Sequence, residues 1–354
     1  MVFSDAVTTT TRNFIVPTAF DTITKGSPFL QYILQNAKQW KSGVSYDFPI
    51  KYQDTTNGGN TGIADKLDTD RQNVRTMLSF QPKMSYKPVV VSNIETTLNS
   101  GDLQVLDLLE TEFNSQAQSL AMVMSQNLFN GNGTGNSWDS LAEAADDGTN
   151  FPTYGGKTKS AYPTIKGYYL ASAGTTSLAK LATAYDACTV GMSVPNKIIT
   201  TKSIWSTYES LLTPNVRANY LTNGYPQLNS YGMIVGNNGT SGAKGGFDIL
   251  YFRGAPVIRD EQVASGKIFF TNDDNFFFAG ISIKADNIKQ LNFKPANATG
   301  VSSGVVGNVP MTLGFNFRDL MSPVDQLAEV GHLIYAGNFI STNPRLNGQL
   351  DGAN

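Results

Sequence analysis

The chain has 354 residues, enough for two or three compact units with cores of their own. Only 15% of the residues are charged and the net charge is −2. This balance excludes a nucleic-acid reader, which carries a basic excess on one face, and a polybasic membrane binder. No apolar run approaches the ~20 residues that span a bilayer. The start carries no signal peptide, so we expect the chain to be made and kept in a cytoplasm.

The first 26 residues are polar and rich in threonine, with scattered apolar residues that include Phe14 and Phe20. Such a segment cannot build its own core, so we expect it to be disordered or to lie as an arm on a neighbouring molecule. Ser27 and Pro28 then predict a helix start, an N-cap followed by proline at the first helical position. The apolar spacing extends this helix to about Trp40.

Two alternating segments follow, and they predict a long two-stranded hairpin. Residues 44–52 place apolar side chains on one face, and residues 53–73 are a polar, glycine-containing loop. In residues 74–90 the even-numbered positions share the apolar face. Since an isolated hairpin is marginal in water, we expect this face to need the surface of an adjacent subunit. The residues predicted to make that contact are Leu78, Phe80, Met84 and Tyr86, together with Phe14 and Phe20 in the arm.

Apolar residues at every third or fourth position predict a long helix over 101–130, closed by Gly131. Shorter helices are predicted at 176–190 and from Lys202, around a strand at 195–201. Strands continue through 247–283, and residues 325–343 read as one long strand buried on both faces.

The residues that could carry chemistry are few and scattered. His332 is the only histidine and Cys188 the only cysteine, so internal disulfides and multi-thiolate metal sites are excluded. Neither residue has a partner identifiable by spacing, and both are interpreted as packing residues. The pairs Asp146–Asp147 and Asp273–Asp274 lack the alternating spacing of a calcium loop and are interpreted as turn residues. We therefore predict no catalytic, cofactor-binding or metal-binding residue.

Three segments resemble the major capsid proteins of tailed bacteriophages, the Hong Kong 97-type family. The first is FRGAPVIRDEQVASGKIFFTN at 252–272, where a strand, a glycine-proline turn, a polar loop and a returning strand follow each other. The others are WDSLAEAADDGTNFPTYGGKTKS at 138–160 and EVGHLIYAGNFISTNPR at 329–345. The order of arm, hairpin and long helix is also similar to that family over the whole chain.

The resemblance implies a mixed α+β fold in which the middle of the chain is inserted between two parts of one domain. The implied parts are an N-terminal arm at 1–40, an extended β-hairpin loop at 41–95, a first part of a peripheral domain at 96–160 with a spine helix at 101–130, an axial domain at 161–309, and a second part of the peripheral domain with the C-terminal tail at 310–354.

The implied function is structural: self-assembly into hexamers and pentamers of an icosahedral shell around double-stranded DNA. The implied partners are copies of the chain itself, a scaffolding protein, a portal and a decoration protein, with DNA contacted weakly and without specificity. Some relatives also join subunits by isopeptide bonds, for which Lys51 or Lys66 with Asn338 or Asn343 are candidates. Two alternatives stay open, an encapsulin-type nanocompartment shell and a β-rich hydrolase.

Overall fold

The computed structural model describes residues 27–63, 66–67, 69–98, 108–212, 227–228, 234–235, 250–283, 288–290, 314–323 and 327–353. Within these ranges the α-helices are α1 (Pro28–Gln35), α2 (Asn93–Leu98), α3 (Leu108–Asn130), α4 (Leu141–Ala144), α5 (Leu178–Ala187) and α6 (Lys202–Leu211). Two short 3-10 helices lie at Pro163–Ile165 and Pro344–Leu346.

The strands of the described residues fall into two six-stranded sheets and three two-stranded ribbons. In chain order they are β1 (Lys38–Gln39), β2 (Tyr46–Lys51), β3 (Arg75–Phe80), β4 (Lys83–Ser92), β5 (Thr153–Tyr154), β6 (Lys157–Thr158), β7 (Tyr168–Leu170), β8 (Lys197–Thr200), β9 (Gln227–Leu228), β10 (Ile234–Val235), β11 (Leu250–Phe252), β12 (Ala255–Arg259), β13 (Ile268–Thr271), β14 (Phe276–Gly280), β15 (Ile288–Gln290), β16 (Phe315–Met321), β17 (Ala328–Ser341) and β18 (Gly348–Leu350).

The first sheet is built around β17, the longest strand. Along one edge β17 pairs with β4, and along the other it pairs first with β16 and then with β14, always antiparallel. Strand β1 adds to β14 in parallel, and β15 adds to β16. Helix α3 packs against β4 and β17, and its 23 residues span roughly 35 Å. The larger core cluster lies between this helix, α1 and the sheet.

The second sheet has the strand order β11-β12-β8-β13-β18-β7. Pairing is parallel between β12 and β8 and between β18 and β7, and antiparallel elsewhere. Strands β8 and β13 are buried along their whole length because they lie in the middle of the sheet. The apolar residues of α5 and α6 complete a separate, smaller core cluster against this sheet.

The helix starts follow from side-chain caps that the sequence announces. Ser27 Oγ accepts a hydrogen bond from the Leu30 amide at 3.2 Å, and Pro28 occupies the first turn of α1. Helix α1 ends at Gln35, earlier than predicted, because the following residues extend into β1 and the Trp40 amide donates to the Gly280 carbonyl at 2.9 Å. Ser177 and Thr201 cap α5 and α6 in the same way.

The hairpin prediction is confirmed for its first half and wrong for its second. Strands β2 and β3 pair antiparallel, with Phe48 opposite Leu78. The run over 74–90 is not one strand, however. It breaks at Gln81 and Pro82, and β4 leaves the hairpin to pair with β17. Proline has no amide hydrogen for a ladder and restricts the residue before it, which accounts for the break.

Two strands join a different sheet from the one that the predicted boundaries imply. Strand β14 lies inside the segment assigned to the axial domain (161–309), yet it pairs with β17 in the first sheet. Strand β18 lies inside the segment assigned to the peripheral domain (310–354), yet it pairs with β13 and β7 in the second sheet. Short strands buried on both faces carry no pattern that specifies their sheet, so chain order was a poor guide here.

Candidate interaction surface

The apolar face of β3 is covered within the single chain. Leu78 is 0% exposed and Phe80 is 2% exposed. The Phe80 ring packs edge-on against Tyr154 at 5.2 Å between centroids and stacks on Phe48 at 5.9 Å. The Ser79 amide also donates to the Gly155 carbonyl at 3.0 Å, so the base of the hairpin is docked on the segment that contains β5.

This docking corrects the expectation that Leu78 and Phe80 contact an adjacent subunit. A side chain that is already buried in its own subunit has no area left to bury against another molecule. The sequence misses the internal partner because Tyr154 and Gly155 are about 75 residues away in the chain, and alternation shows only that a face is covered. Gly155 has φ of +53°, and its bare Cα allows Leu78 and Phe80 to approach.

The equivalent positions of β4 are open to solvent. Met84 is 57% exposed and Tyr86 is 60% exposed. Helix α3 packs on the opposite side of β4, where Val89 and Val91 are buried, and the Trp138 indole nitrogen donates to Ser85 Oγ at 2.9 Å on that side. The even-numbered face of β4 therefore points away from the core of its own chain.

This open face continues across the neighbouring strands, and we call it the β4 face. It comprises the even-numbered side chains of β4 and the residues that pair with them on β17, with Met321 beyond. Tyr86 lies opposite Ile334 and its ring is 5.9 Å from that of His332, which lies opposite Pro88. Its exposed apolar members are Met84, Tyr86, Val90 and Met321. A contiguous apolar sheet face of this kind indicates an interaction surface.

The remaining predicted contact residues, Phe14 and Phe20, lie outside the described residues. Of the isopeptide candidates, Lys51 and Lys66 are exposed, and Lys51 forms an ion pair with Asp54. Asn338 is buried, and its side-chain amide donates to the Gln81 carbonyl at 2.9 Å and to Asp139.

His332 and Cys188 lie in different parts of the fold. His332 is half-buried in the β4 face, whereas the Cys188 thiol is buried at the end of α5, directly beside Gly348 of β18. Burial raises the pKa of Cys188 to about 12. A thiol with such a pKa is protonated at neutral pH and is a poor nucleophile.

Both aspartate pairs participate in turns and ion pairs. The Asp146 carboxylate accepts hydrogen bonds from the amides of Gly148 at 2.8 Å and Phe151 at 3.0 Å. The Asp273 carboxylate forms an ion pair with Lys197 at 2.7 Å. Across the described ranges, no group of three or more His, Cys, Asp or Glu side chains could hold a metal ion. In those same ranges no helix has the length and apolar character needed to cross a bilayer.

One polar cluster was missed by the sequence analysis. Asp139 and Glu143 are both buried where α4 begins, beside Asn338 of β17, and their carboxyl groups lie side by side against Gly133. Desolvation by burial raises the pKa of Asp139, and it raises that of Glu143 to about 9. Two acids four residues apart around an N-cap serine were the available signal, but this pattern is usual for exposed first turns.

The whole chain matches solved structures of shell proteins. It is 15% identical to a protein of the cyanophage A-1(L) capsid asymmetric unit, covering 99% of both chains with a TM-score of 0.71. The capsid of a native GTA particle matches at 10% identity over 100% of both chains, with a TM-score of 0.59. The holo-SrpI encapsulin complex from Synechococcus elongatus PCC 7942 matches at 10% identity over 100% of this chain and 97% of the other, with a TM-score of 0.53.

No protein-family model matches the chain, and no curated protein matches it significantly in sequence. At the identities of the solved structures, the likeness establishes the fold. The chain has the mixed α+β, Hong Kong 97-type fold of these phage capsid and encapsulin structures, which confirms the predicted α+β class and fold type, whereas the predicted arm, extended loop, peripheral domain and axial domain stay a prediction.

Proposed function

We propose that this chain is the major capsid protein of a tailed phage or prophage, with a structural and non-enzymatic role. The observation that carries the proposal is the match over 99% of both chains to a cyanophage capsid protein, with a TM-score of 0.71. Copies of the chain assemble into hexamers and pentamers of an icosahedral shell that encloses double-stranded DNA. The protein is thus assembled in the cytoplasm of a bacterial host and resides in the virion.

The parts of the fold take corresponding roles in this proposal. Helix α3 is the spine of the peripheral domain, which the first sheet completes. The second sheet with α5 and α6 is the axial domain, and the β2–β3 hairpin with its loop at 52–74 is the extended loop. We assign β18 to the axial unit because it pairs with β13, and β14 to the peripheral unit because it pairs with β17.

The β4 face is the proposed contact with an adjacent subunit. Met84 and Tyr86 retain the role that the sequence predicts for them, because they are exposed and lie in a contiguous apolar face. Burying such a face stabilises an interface by about 25 cal/mol per Å² of apolar area. Phe14 and Phe20 of the N-terminal arm are proposed to add to the contacts between subunits.

Other partners follow from the proposed role. A scaffolding protein guides assembly, a portal occupies one vertex, and a decoration protein binds the outside. Contacts with packaged DNA are weak and non-specific, because a net charge of −2 provides little attraction for phosphates. No membrane takes part.

An encapsulin-type nanocompartment is the second candidate, since the SrpI encapsulin complex also matches over the full chain, with a TM-score of 0.53. The two candidates differ in content: a phage shell encloses DNA, whereas an encapsulin encloses a cargo enzyme. Nuclease-protected DNA in particles purified from the native host, with terminase and portal genes nearby, supports the capsid. A co-purifying cargo enzyme and no protected DNA support the nanocompartment.

Negative-stain microscopy of the expressed protein tests the proposed assembly. We expect closed particles, or discrete pentamers and hexamers. A sharp monomer at high concentration, both with and without its scaffolding protein, would contradict the proposal.

A further inference from the structure

The buried carboxyl pair Asp139–Glu143 lies near the base of the β2–β3 hairpin, where β3 ends and the chain continues into β4. Asp139 precedes the N-cap of α4 and Glu143 lies in its first turn, and both are more than nine-tenths buried. Gly133 packs over them: a Cβ built on this residue would lie 2.6 Å from Glu143 Oε2 and 2.9 Å from Asp139 Oδ1. The two carboxyl groups are therefore closely confined and shielded from water.

A chain of hydrogen bonds connects this pair to the base of the hairpin. Asp139 accepts a hydrogen bond from the Asn338 side-chain amide. The same amide donates to the carbonyl of Gln81 at 2.9 Å, and Gln81 is the residue that directly follows β3. The Asn338 Oδ1 atom in turn accepts from the Asp139 amide at 3.2 Å. Asn338 thus links the Asp139 carboxylate to the base of the hairpin.

A second set of contacts connects the pair to the surface on which the hairpin docks. The Lys159 ammonium donates to the carbonyls of Glu143 and Asp146, each at 2.7 Å. Lys159 directly follows β6, whose partner strand β5 contains Tyr154, which packs against Phe80, and is followed by Gly155, which bonds to Ser79. A displacement at Glu143 would therefore reach the hairpin by two routes.

The charges around the pair do not neutralise two carboxylates. The groups that face it are Lys83 of β4, Lys159, Asp146 and Tyr154. The Lys83 ammonium donates to the Gly135 carbonyl, and the Lys159 ammonium donates to backbone carbonyls. Glu143 Oε2 has no hydrogen-bond partner. Two buried like charges confined side by side against Gly133 repel strongly, so a single proton shared by them is the stable arrangement.

We propose that Asp139 and Glu143 share one proton and act as a latch that holds the base of the β2–β3 hairpin on its own subunit. Loss of the proton places two carboxylates in contact, displaces Asp139 from Asn338 and frees the hairpin base while the sheets remain folded. The proposal concerns the subunit alone and does not depend on the proposed function.

The direction of the pH dependence follows from the two states. The folded chain holds Glu143 with a pKa of about 9, and the unfolded chain holds it at the ordinary 4.5. Folding therefore takes up a proton between these pH values. The contribution of the pair to stability is full below the unfolded pKa and is lost as pH rises through the folded pKa.

Electron paramagnetic resonance on the full-length protein tests the latch. One spin label is placed at Met77→Cys on the outer face of the hairpin and the other at Thr153→Cys in β5, both in a Cys188→Ala background. We expect one short distance at about pH 7 and a second, longer distance that appears with a midpoint near pH 9, where the Glu143 pKa lies. Circular dichroism should stay unchanged through this transition.

Two variants make the test specific. Glu143→Gln cannot ionise but can still donate to Asp139, so it should retain the short distance to about pH 10. Asp186→Asn alters an exposed acid of α5, which packs on the second sheet, and should leave the transition unchanged. Burial lowers the pKa of Lys159 to about 8, so this lysine also loses its charge in the tested range, and a transition caused by Lys159 would persist in Glu143→Gln.

Three outcomes would overturn the latch. The first is a transition that persists in Glu143→Gln, and the second is loss of circular dichroism at the same pH, which would indicate global unfolding. The third is a rise in melting temperature with Ca²⁺ that Glu143→Gln abolishes, which would show that the pair holds a cation in place of the proton.

Discussion

Strands β3 and β4 share one apolar alternation in the sequence and have opposite environments in the structure. Leu78 and Phe80 are covered by Tyr154, Gly155 and Phe48 of their own chain, whereas Met84 and Tyr86 face solvent. Met84 follows Leu78 by six positions, and the strand break at Gln81–Pro82 lies between them. An alternating pattern thus shows that a face must be buried, but not by which molecule.

The difference assigns two roles to what looks like one element. The face of β3 belongs to the folding of the subunit, and the β4 face remains available for another copy. Substitutions in β3, before Pro82, should therefore lower the stability of the subunit, whereas substitutions in the β4 face, after Pro82, should reduce assembly.

The largest expected effect comes from a matched pair of aspartate substitutions, one in β3 and one in β4. Leu78→Asp places a carboxylate at a fully buried position, and we expect it to lower the free energy of unfolding by at least about 3 kcal/mol. Met84→Asp changes an exposed side chain and should stay within about 0.5 kcal/mol of the wild type. Urea denaturation followed by circular dichroism measures both. Equal stability of the two variants would show that β3 is not docked on its own subunit.

Alanine substitutions at Gly155 and Gly156 test the contact between β3 and the segment that contains β5. A Cβ at Gly155 would lie 3.0 Å from both Leu78 Cβ and Phe80 Cζ, whereas one at Gly156 meets nothing within 4 Å. Both residues have positive φ, so both alanine variants carry a similar backbone strain of about 1 kcal/mol. We expect Gly155→Ala to lose about 1–3 kcal/mol more than Gly156→Ala through overpacking. Indistinguishable denaturation midpoints would argue against the contact.

The Cys188 thiol reports on the stability of the fold and distinguishes variants of β3 from variants of β4, because it lies in neither strand. Its thiol is buried and its pKa is raised to about 12 by burial, so thiol reagents should not modify it in the folded chain. We expect the slowest labelling in the wild type and Met84→Asp and faster labelling in Leu78→Asp, because a less stable chain opens more often. Equal labelling rates in all three proteins would show that Leu78→Asp does not destabilise the chain.

Much of the fold could be predicted from the sequence because local signals carried it. The Ser27–Pro28 start located α1, and alternation located β2 and β3. The sheet membership of β14 and β18 could not be predicted, because it depends on long-range pairing between short buried strands. The burial of the Asp139–Glu143 pair could not be predicted for the same reason, because it depends on the tertiary fold.

The central claim is that the β4 face joins subunits into a shell, and sedimentation velocity of Met84→Asp/Tyr86→Asp tests it most directly. Each side chain is more than half exposed in the single chain, so the double variant should fold with wild-type circular dichroism. Two charges in an apolar contact that every copy repeats should prevent closure. We predict a folded, unassembled species under conditions in which the wild type and Gly156→Ala form particles. Normal particles from the double variant would contradict the account.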